Sequence, residues 1–297
     1  MTRFASPALS LAFTLDPKDG RMADYGFEQL GVTVTEQVAV VSLLWPDGRS
    51  PDKQAGHREL AACLMRMRSD DGIRIVVLKG AVDGIFYAPF TGGESSAAEA
   101  RFKKGVMSDP EHIYKALQET QQIMDSIVRM EKPVIAMVNG NALGLGASLA
   151  MACDFIIADE AAYITDIHIA NHHFVPGSKK STGIVPGDGG VVFWPAQMGL
   201  AKAKEYLMTG RPVTARELAD MNAITKAVPA ADLQNTVDGY VEELLSRPAW
   251  ALGWTKLAIN KRLRTTLELA LDTSAALEAL SMRVRDDFSG PKGTETL

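Results

Sequence analysis

The chain has 297 residues, with 31 Lys or Arg against 36 Asp or Glu, so its formal net charge is −5. A chain of this length can bury roughly three quarters of its unfolded surface without disulfides or a structural metal. The acidic balance argues against nucleic-acid binding, because no basic surplus is available to neutralise phosphates, and no apolar run is long enough to span a membrane. Cys63 and Cys153 lie in apolar stretches, so we expect buried free thiols and a cytoplasmic location.

The first predicted elements are strands that follow an N-terminal extension. Residues 1–30 are expected to be irregular. The β-rich runs Val32–Thr35 and Val38–Leu44 are separated by two polar residues, which predicts a hairpin. Apolar residues at helical spacing predict a helix over His57–Arg68, and the apolar run Ile73–Lys79 predicts a strand that is covered on both faces.

The middle of the chain continues to alternate strands with helices, which predicts an α/β fold with crossover connections. The stretches 91–110 and 170–182 are rich in polar and turn residues and are expected to be loops. The other predicted elements are a helix over Ile113–Met130, a strand over Pro133–Asn139, a Gly/Ala-rich helix over Gly140–Ala152, and strands over Asp154–Ala158 and Ala162–Thr165.

The last part of the chain is predicted to be almost entirely helical. Helical periodicity covers Asp232–Leu245, Ala249–Arg262 and Thr266–Asp286. We therefore expect three regions, namely an N-terminal extension over 1–30, a core over 31–230 and a helical C-terminal region over 231–297.

A glycine-rich turn between a strand and a helix is the first stretch with chemical meaning. The run Val138–Ser148 leads from a predicted strand through small residues into a helix. Such a turn presents free backbone N–H groups at a helix N-terminus, where an anion or a developing oxyanion is stabilised. The glycines could equally serve only close packing of the helix on the strand, and the spacing alone leaves both interpretations open.

A histidine and an aspartate form the second candidate group. His168 could act as a general acid or base near neutral pH, and Asp188, in a glycine-flanked turn, could orient it. From the residues alone, a buried satisfied histidine and an Asx turn are the simpler interpretations. Glu278 lies on or beside the apolar face of the last helix, where it is either a buried functional group or part of a salt bridge.

Three further candidates have weaker signals. His57 begins a predicted helix, a position that is usually on the surface. Trp45 stands beside a proline and could line an apolar pocket or belong to the core. His172 and His173 are adjacent and cannot easily share one ion, so no metal site is predicted.

Several stretches together resemble the crotonase (enoyl-CoA hydratase/isomerase) superfamily over roughly residues 32–288. The resemblance implies a ClpP-like spiral of ββα turns with a C-terminal α-helical region that builds trimers or dimers of trimers. It implies a coenzyme A thioester as substrate rather than as cofactor, with its oxyanion held by the N–H groups of Ala88 and Leu145. The stretches that carry it are Lys132–Gly140, Ala142–Gly146, Met151–Asp154, Gly183–Gly187 and Ala201–Gly210.

The chain departs from the usual members of that superfamily at both catalytic acids. Typical hydratases carry glutamates at the positions of Ser148 and His168, and both acids are absent here. The run from Gly183 through Asp188 resembles a sub-group that includes 6-oxocamphor hydrolase, which cleaves a C–C bond in a cyclic β-diketone. That resemblance implies catalytic roles for His168, Asp188, His57 and Glu278.

Three functions follow as alternatives. The first is an enzyme that acts on an acyl-CoA thioester with His168 and Asp188 replacing the glutamate pair. The second is a C–C hydrolase of a β-diketone that needs no coenzyme A, and the third is a non-catalytic acyl-CoA-binding homologue. The sub-group's hydrolase has a further histidine where this chain has Gly144–Gly146, which favours the first alternative.

We also predict binding residues for the small-molecule substrate. As substrate-binding positions we predict Gly144, Gly187, Asp166 and Trp45, and the sequence leaves open whether Asp166 shares the catalytic role or caps a turn. Lys256, Lys261 and Arg262 lie on the late helices, where a coenzyme A phosphate could dock or where they could form an ordinary solvated face.

Overall fold

The computed structural model describes residues 21–22, 25–44, 53–87, 110–169 and 183–284. The strands are β1 Arg21–Met22, β2 Leu30–Thr35, β3 Val38–Leu43, β4 Ile75–Gly80, β5 Gly84–Tyr87, β6 Val134–Val138, β7 Gly140–Leu143, β8 Phe155–Asp159, β9 Ile164–Thr165 and β10 Lys226–Val228. The helices are α1 Lys53–Ser69, α2 Pro110–Arg129, α3 Leu145–Ala152, α4 Gly190–Met198, α5 Leu200–Thr209, α6 Ala215–Asp220, α7 Ala230–Leu245 and α8 Ala249–Val284.

The strands form two sheets, and successive strands along the chain are added to both. One sheet has the order β1-β2-β3-β4-β6-β8-β10 and the other has the order β5-β7-β9. The pairs β1–β2 and β2–β3 are antiparallel, and the remaining pairs are parallel. Successive strand pairs β4/β5, β6/β7 and β8/β9 each contribute one strand to either sheet, so the architecture is a spiral of repeated turns.

The large sheet is apolar on both faces because a separate core lies on each side. Along β3, Val41 belongs to the main core, whereas Val40 belongs to a second core. Val237 and Val241 of α7 join that second core, so α7 packs on the face of the sheet opposite the main core. This two-sided burial explains why the central strands read as continuous apolar runs.

The hairpin prediction is confirmed, and four other predictions need correction. Glu36 and Gln37 have φ angles of 46° and 72°, as in a tight hairpin turn. The extension is not wholly irregular, since β1 pairs with β2 and Leu30 already belongs to β2. The predicted helix over Gly140–Ala152 is divided into strand β7 and helix α3, and the last two predicted helices are one helix, α8. Residues 91–109 and 170–182, which cover almost all of the two predicted loops, lie outside the described residues. The loop predicted over 91–110 was one residue too long, because α2 begins at Pro110.

Helix α8 is fixed to the core by a buried ion pair, which corrects one prediction. Lys256 is 7% exposed, its Nζ lies 2.6 Å from Asp154 Oδ2, and it donates to the carbonyl oxygen of Lys132 at 3.0 Å. Lys256 is therefore unavailable to a coenzyme A phosphate, whereas Lys261 and Arg262 are exposed.

The structure also tests the expectations about the cysteines and about membrane-spanning segments. Cys63 and Cys153 are buried free thiols, as expected. Within the described ranges, none of the helices combines the length and the apolar character needed to cross a membrane.

Candidate active site

His168 is held by a carboxylate from its own segment, immediately after β9. Asp166 Oδ1 lies 2.9 Å from Nδ1 of His168 and accepts the backbone N–H of the same residue at 3.0 Å. Both side chains are buried. Asp166 thus closes the turn, one of the two roles that the sequence left open, and it also contacts the ring. We predicted Asp188 as the residue that orients His168, but the shorter contact to the ring, at Nδ1, is made by Asp166.

The other ring nitrogen faces two carboxyl groups from distant parts of the chain. Nε2 of His168 lies 3.4 Å from Asp188 Oδ2 and 3.7 Å from Glu278 Oε1. Asp188 Oδ1 in turn accepts a hydrogen bond of 2.7 Å from Ser148 Oγ on α3. The fold therefore brings His168, Asp188 and Glu278 together, three of the four residues predicted to be catalytic.

Asp188 and Glu278 are brought together because the turn before α4 packs directly on helix α8. A Cβ atom at Gly187 would lie 2.5 Å from the carbonyl oxygen of Ser274 and 2.6 Å from Glu278 Oε2, so glycine is needed there. Ser281 Oγ also accepts the backbone N–H of Val185 at 3.0 Å. With the turn fixed to α8, the carboxyl groups of Asp188 and Glu278 are held on the same side of the imidazole.

Burial and neighbouring charges shift the pKa values of the cluster. Burial on its own would lower the pKa of His168, but Asp166, Asp188 and Glu278 raise it well above its ordinary value. Burial raises the pKa of Asp188, against the opposing effects of His168 and the Ser148 hydroxyl. Burial also raises the pKa of Glu278, to about 8.

The N-terminus of helix α3 lies beside His168. Gly144 precedes the helix with a φ of 58°, and a Cβ atom there would lie 3.9 Å from His168 Cε1. The first N–H groups of a helix have no partner within its own turns. In α3 those of Ala147 and Ser148 donate to the carbonyl oxygen of Gly144, which makes the N–H of Leu145 the candidate donor to a ligand. A Cβ atom at Gly146 would lie 2.5 Å from Tyr87 Cβ, so the end of β5 packs against the same turn. The N-terminus of α3 and the imidazole of His168 are therefore close neighbours.

The remaining predicted residues lie beside the end of β5 or outside the described residues. His57 is on α1, and its Nε2 is 3.2 Å from the Tyr87 hydroxyl oxygen, so it is tied to the end of β5. Ala88 and Trp45 fall outside the described residues.

The cluster also contains side chains of metal-binding type. Asp166, His168 and Asp188 each offer a ligand atom within 4.8 Å of the other two. The shortest contact of each aspartate is nevertheless to a different ring nitrogen, at 2.9 Å for Asp166 and 3.4 Å for Asp188. We interpret the group as side chains that pair with one another.

Sequence reasoning missed the part played by Ser148. We noted it only as the position of an absent glutamate, yet its hydroxyl is the donor to Asp188. Its place three residues after Leu145, on the same short helix, was the available signal, because such residues lie on one helix face.

Comparison with known proteins places this site in a family. A family model described as Enoyl-CoA hydratase/isomerase matches residues 34–290. The putative enoyl-CoA hydratase/isomerase YngF of Bacillus subtilis is 29% identical over 236 residues, covering 80% of this chain and 83% of that protein. An enoyl-CoA hydratase/isomerase structure from Mycobacterium paratuberculosis has 26% identity and a TM-score of 0.73, covering 86% of this chain and 93% of its own.

A structural neighbour with a different activity shares the fold. A β-diketone hydrolase from the cyanobacterium Anabaena sp. PCC 7120, bound to (S)-3-oxocyclohexyl acetic acid, has 23% identity and a TM-score of 0.72, covering 88% of this chain and 96% of its own. The expected crotonase spiral is confirmed by these neighbours. Because the family model matches most of its length, the chain belongs to the enoyl-CoA hydratase/isomerase family.

Proposed function

We propose that this protein acts on an acyl-CoA thioester and moves protons at the carbons next to its carbonyl group. The observation that carries the proposal is the position of Gly144, where an added Cβ would be 3.9 Å from His168 Cε1. The N-terminus of α3 and the imidazole are therefore close enough to contact one substrate. A thioester oxygen bound at the N–H of Leu145 would bring its α carbon near His168.

The backbone donors would supply the electrostatic part of catalysis. A thioester enolate carries its negative charge on oxygen, and each preorganised donor is typically worth about 3–4 kcal/mol. The N–H of Leu145 is one proposed donor, and the N–H of Ala88, outside the described residues, is the other. Coenzyme A takes part here as a portion of the substrate, and the proposal requires no prosthetic group.

The side-chain cluster would supply proton transfer. General acid–base catalysis typically contributes about 10²–10⁴-fold in rate. We therefore expect His168→Gln to lower the hydration rate of crotonyl-CoA, followed by the loss of enoyl absorbance, by a factor in that range. Binding of acetoacetyl-CoA should persist, since the backbone donors remain. Unchanged turnover in His168→Gln would remove the assignment of His168.

A second candidate is a C–C hydrolase of a cyclic β-diketone. In favour of it, the carboxyl groups of Asp188 and Glu278 both lie within 3.7 Å of His168 Nε2. The resemblance to the 6-oxocamphor hydrolase sub-group implies catalytic roles at these positions. In that reaction the cluster would activate water for attack on a ketone. Hydrolysis of a cyclic β-diketone without coenzyme A, abolished in His168→Gln, would establish this candidate in place of the first.

A further inference from the structure

Nδ1 of His168 has its acceptor fixed by the local chain. Asp166 Oδ1 lies 2.9 Å from Nδ1 and also accepts the backbone N–H of His168. An ionised carboxylate accepts hydrogen bonds and cannot donate them, so the hydrogen of this contact is on Nδ1. In a neutral imidazole, Nε2 would then be an acceptor.

Nε2, however, faces two further oxygens that accept hydrogen bonds when ionised. Asp188 Oδ2 is 3.4 Å away and Glu278 Oε1 is 3.7 Å away. Three acceptors turned towards one another repel, and burial strengthens that repulsion because little water screens it. At least one proton must therefore lie among these three groups.

Hydrogen-bond donors distinguish the two carboxyl groups. Asp188 Oδ1 accepts from the Ser148 hydroxyl at 2.7 Å, which stabilises its ionised form. Glu278 is 5% exposed, and its Oε2 finds no hydrogen-bond partner in the described part of the chain. The N–H of Gly187, next to it, donates to the carbonyl oxygen of Val185 at 2.8 Å and is a weak donor to the Glu278 carboxyl, where it lowers the pKa slightly against the larger effect of burial. Glu278 thus has weaker hydrogen-bond support than Asp188, and an ionised carboxylate with little support is costly to bury, so Glu278 is the group that keeps its proton.

We infer that the resting site holds His168 as a cation between the carboxylates of Asp166 and Asp188, with Glu278 as a neutral acid. The reaction then begins with His168 as proton donor, and Asp166 is a positioning residue that fixes the ring through Nδ1. This inference rests on the proposed function, because it states which groups give and take protons there. Among the described residues, these three carboxyl groups are the acids within 4 Å of the ring nitrogens.

In the hydration of an enoyl thioester, every proton that is given up or taken up can be assigned to water, the substrate or a residue of the site. Asp188 takes a proton from water as the water oxygen bonds to the β carbon, and the π electrons of the double bond move to give the enolate. The α carbon of the enolate then takes the proton from Nε2 of His168. The proton on Asp188 passes to Nε2 across 3.4 Å. One water has been added, and the starting state is restored.

Nitrogen NMR of the whole protein tests the resting state without any substrate. In protein labelled with ¹⁵N-histidine, the His168 signals are assigned by their loss in His168→Gln. We expect both ring nitrogens to be protonated at pH 8, where an ordinary imidazole is neutral. We also expect Asp166→Asn to move the His168 titration to lower pH. A neutral His168 at pH 7 in the wild type would overturn the inference, whether or not the protein binds thioesters.

The pH dependence of turnover tests the direction of proton transfer. If His168 is the donor, hydration should slow as the pH rises through the titration seen by NMR. Asp166→Asn should move that alkaline limb by the same amount as the NMR midpoint, which a purely structural role would not do. Turnover that rises with pH through the same titration would overturn the donor assignment. Glu268→Gln, at an exposed carboxylate of α8, should change neither curve.

Discussion

Replacement of Glu278 by glutamine should make the stability of the protein less sensitive to pH. The Glu278 carboxyl has a pKa of about 8 in the folded protein, raised by burial from an ordinary value of 4.5. Between these two values the folded protein holds a proton that the unfolded chain has released. A rise in pH therefore favours unfolding. The contribution is complete below pH 4.5 and is lost as the pH rises to about 8.

The size of the effect follows from the distance between the two pKa values. Each pH unit between them is worth about 1.4 kcal/mol. From pH 5 to pH 8, wild type should thus lose about 4 kcal/mol of unfolding free energy relative to Glu278→Gln, because glutamine does not titrate. Both proteins keep His168 and Asp188, so their titration differs between the two proteins only by the part that depends on the charge of Glu278.

Urea unfolding of both proteins at pH 5, 6, 7 and 8 measures this difference directly. Glu268→Gln is the matched control, since Glu268 is a 61% exposed carboxylate on the same helix, paired with Arg129. Its stability should follow the wild-type curve. Parallel curves for wild type and Glu278→Gln, or a relative gain by the wild type as the pH rises, would refute the reasoning.

Two further predictions concern the supports of the site. Lys256→Ala removes the cation beside the Asp154 carboxylate, which is 17% exposed, and should cost up to about 3–5 kcal/mol in urea unfolding. Exposed Lys261→Ala should change stability by less than about 0.5 kcal/mol; equal losses would contradict the role of the Lys256–Asp154 pair. Gly146→Ala should lower both the melting temperature and turnover, because its Cβ would lie too close to Tyr87. Gly239→Ala is the control, since it has open space around it in α7 and should stabilise the protein by about 0.4–1 kcal/mol. An unchanged melting temperature in Gly146→Ala would contradict the close packing.

The five inner strands of the large sheet were predictable, but its edge strands β1 and β10 and the division into two sheets were not. Buried runs such as Val134–Val138 are apolar throughout and about as long as a typical strand. The second sheet is built from strands of two to four residues, such as Gly140–Leu143, whose small residues read as the start of a helix. Their pairing depends on the close corner at Gly140, where a Cβ would lie 1.8 Å from the carbonyl carbon of Gly84. No local periodicity reveals such a contact.

The length of helix α8 was missed for a related reason. The apolar spacing weakens around Lys261–Thr265, which suggested two helices. Nothing in that stretch stops a helix, however, because it contains neither glycine nor proline. The continuous helix of 36 residues carries Lys256 near one end and Glu278 near the other, so one rigid element both anchors to the core and completes the site.

The members of the site were predictable from the family resemblance, but their pairing was not. His168, Asp188 and Glu278 are spread over more than 100 residues, and only the docking of α8 on the glycine turn brings them together. The contact between Asp166 and Nδ1 depends on the turn after β9. Asp166 and Asp188 both lie near the His168 ring, and the backbone geometry determines which ring nitrogen each of them faces.

Calorimetric titration of the wild-type protein with acetoacetyl-CoA, with a cyclic β-diketone in a parallel experiment, tests the central claim most directly. The account predicts micromolar binding of the thioester, retained in His168→Gln, because the backbone donors at the N-terminus of α3 hold its oxygen. The diketone should give neither binding nor heat of turnover. Heat of reaction from the diketone, together with no binding of the thioester, would contradict the proposed function.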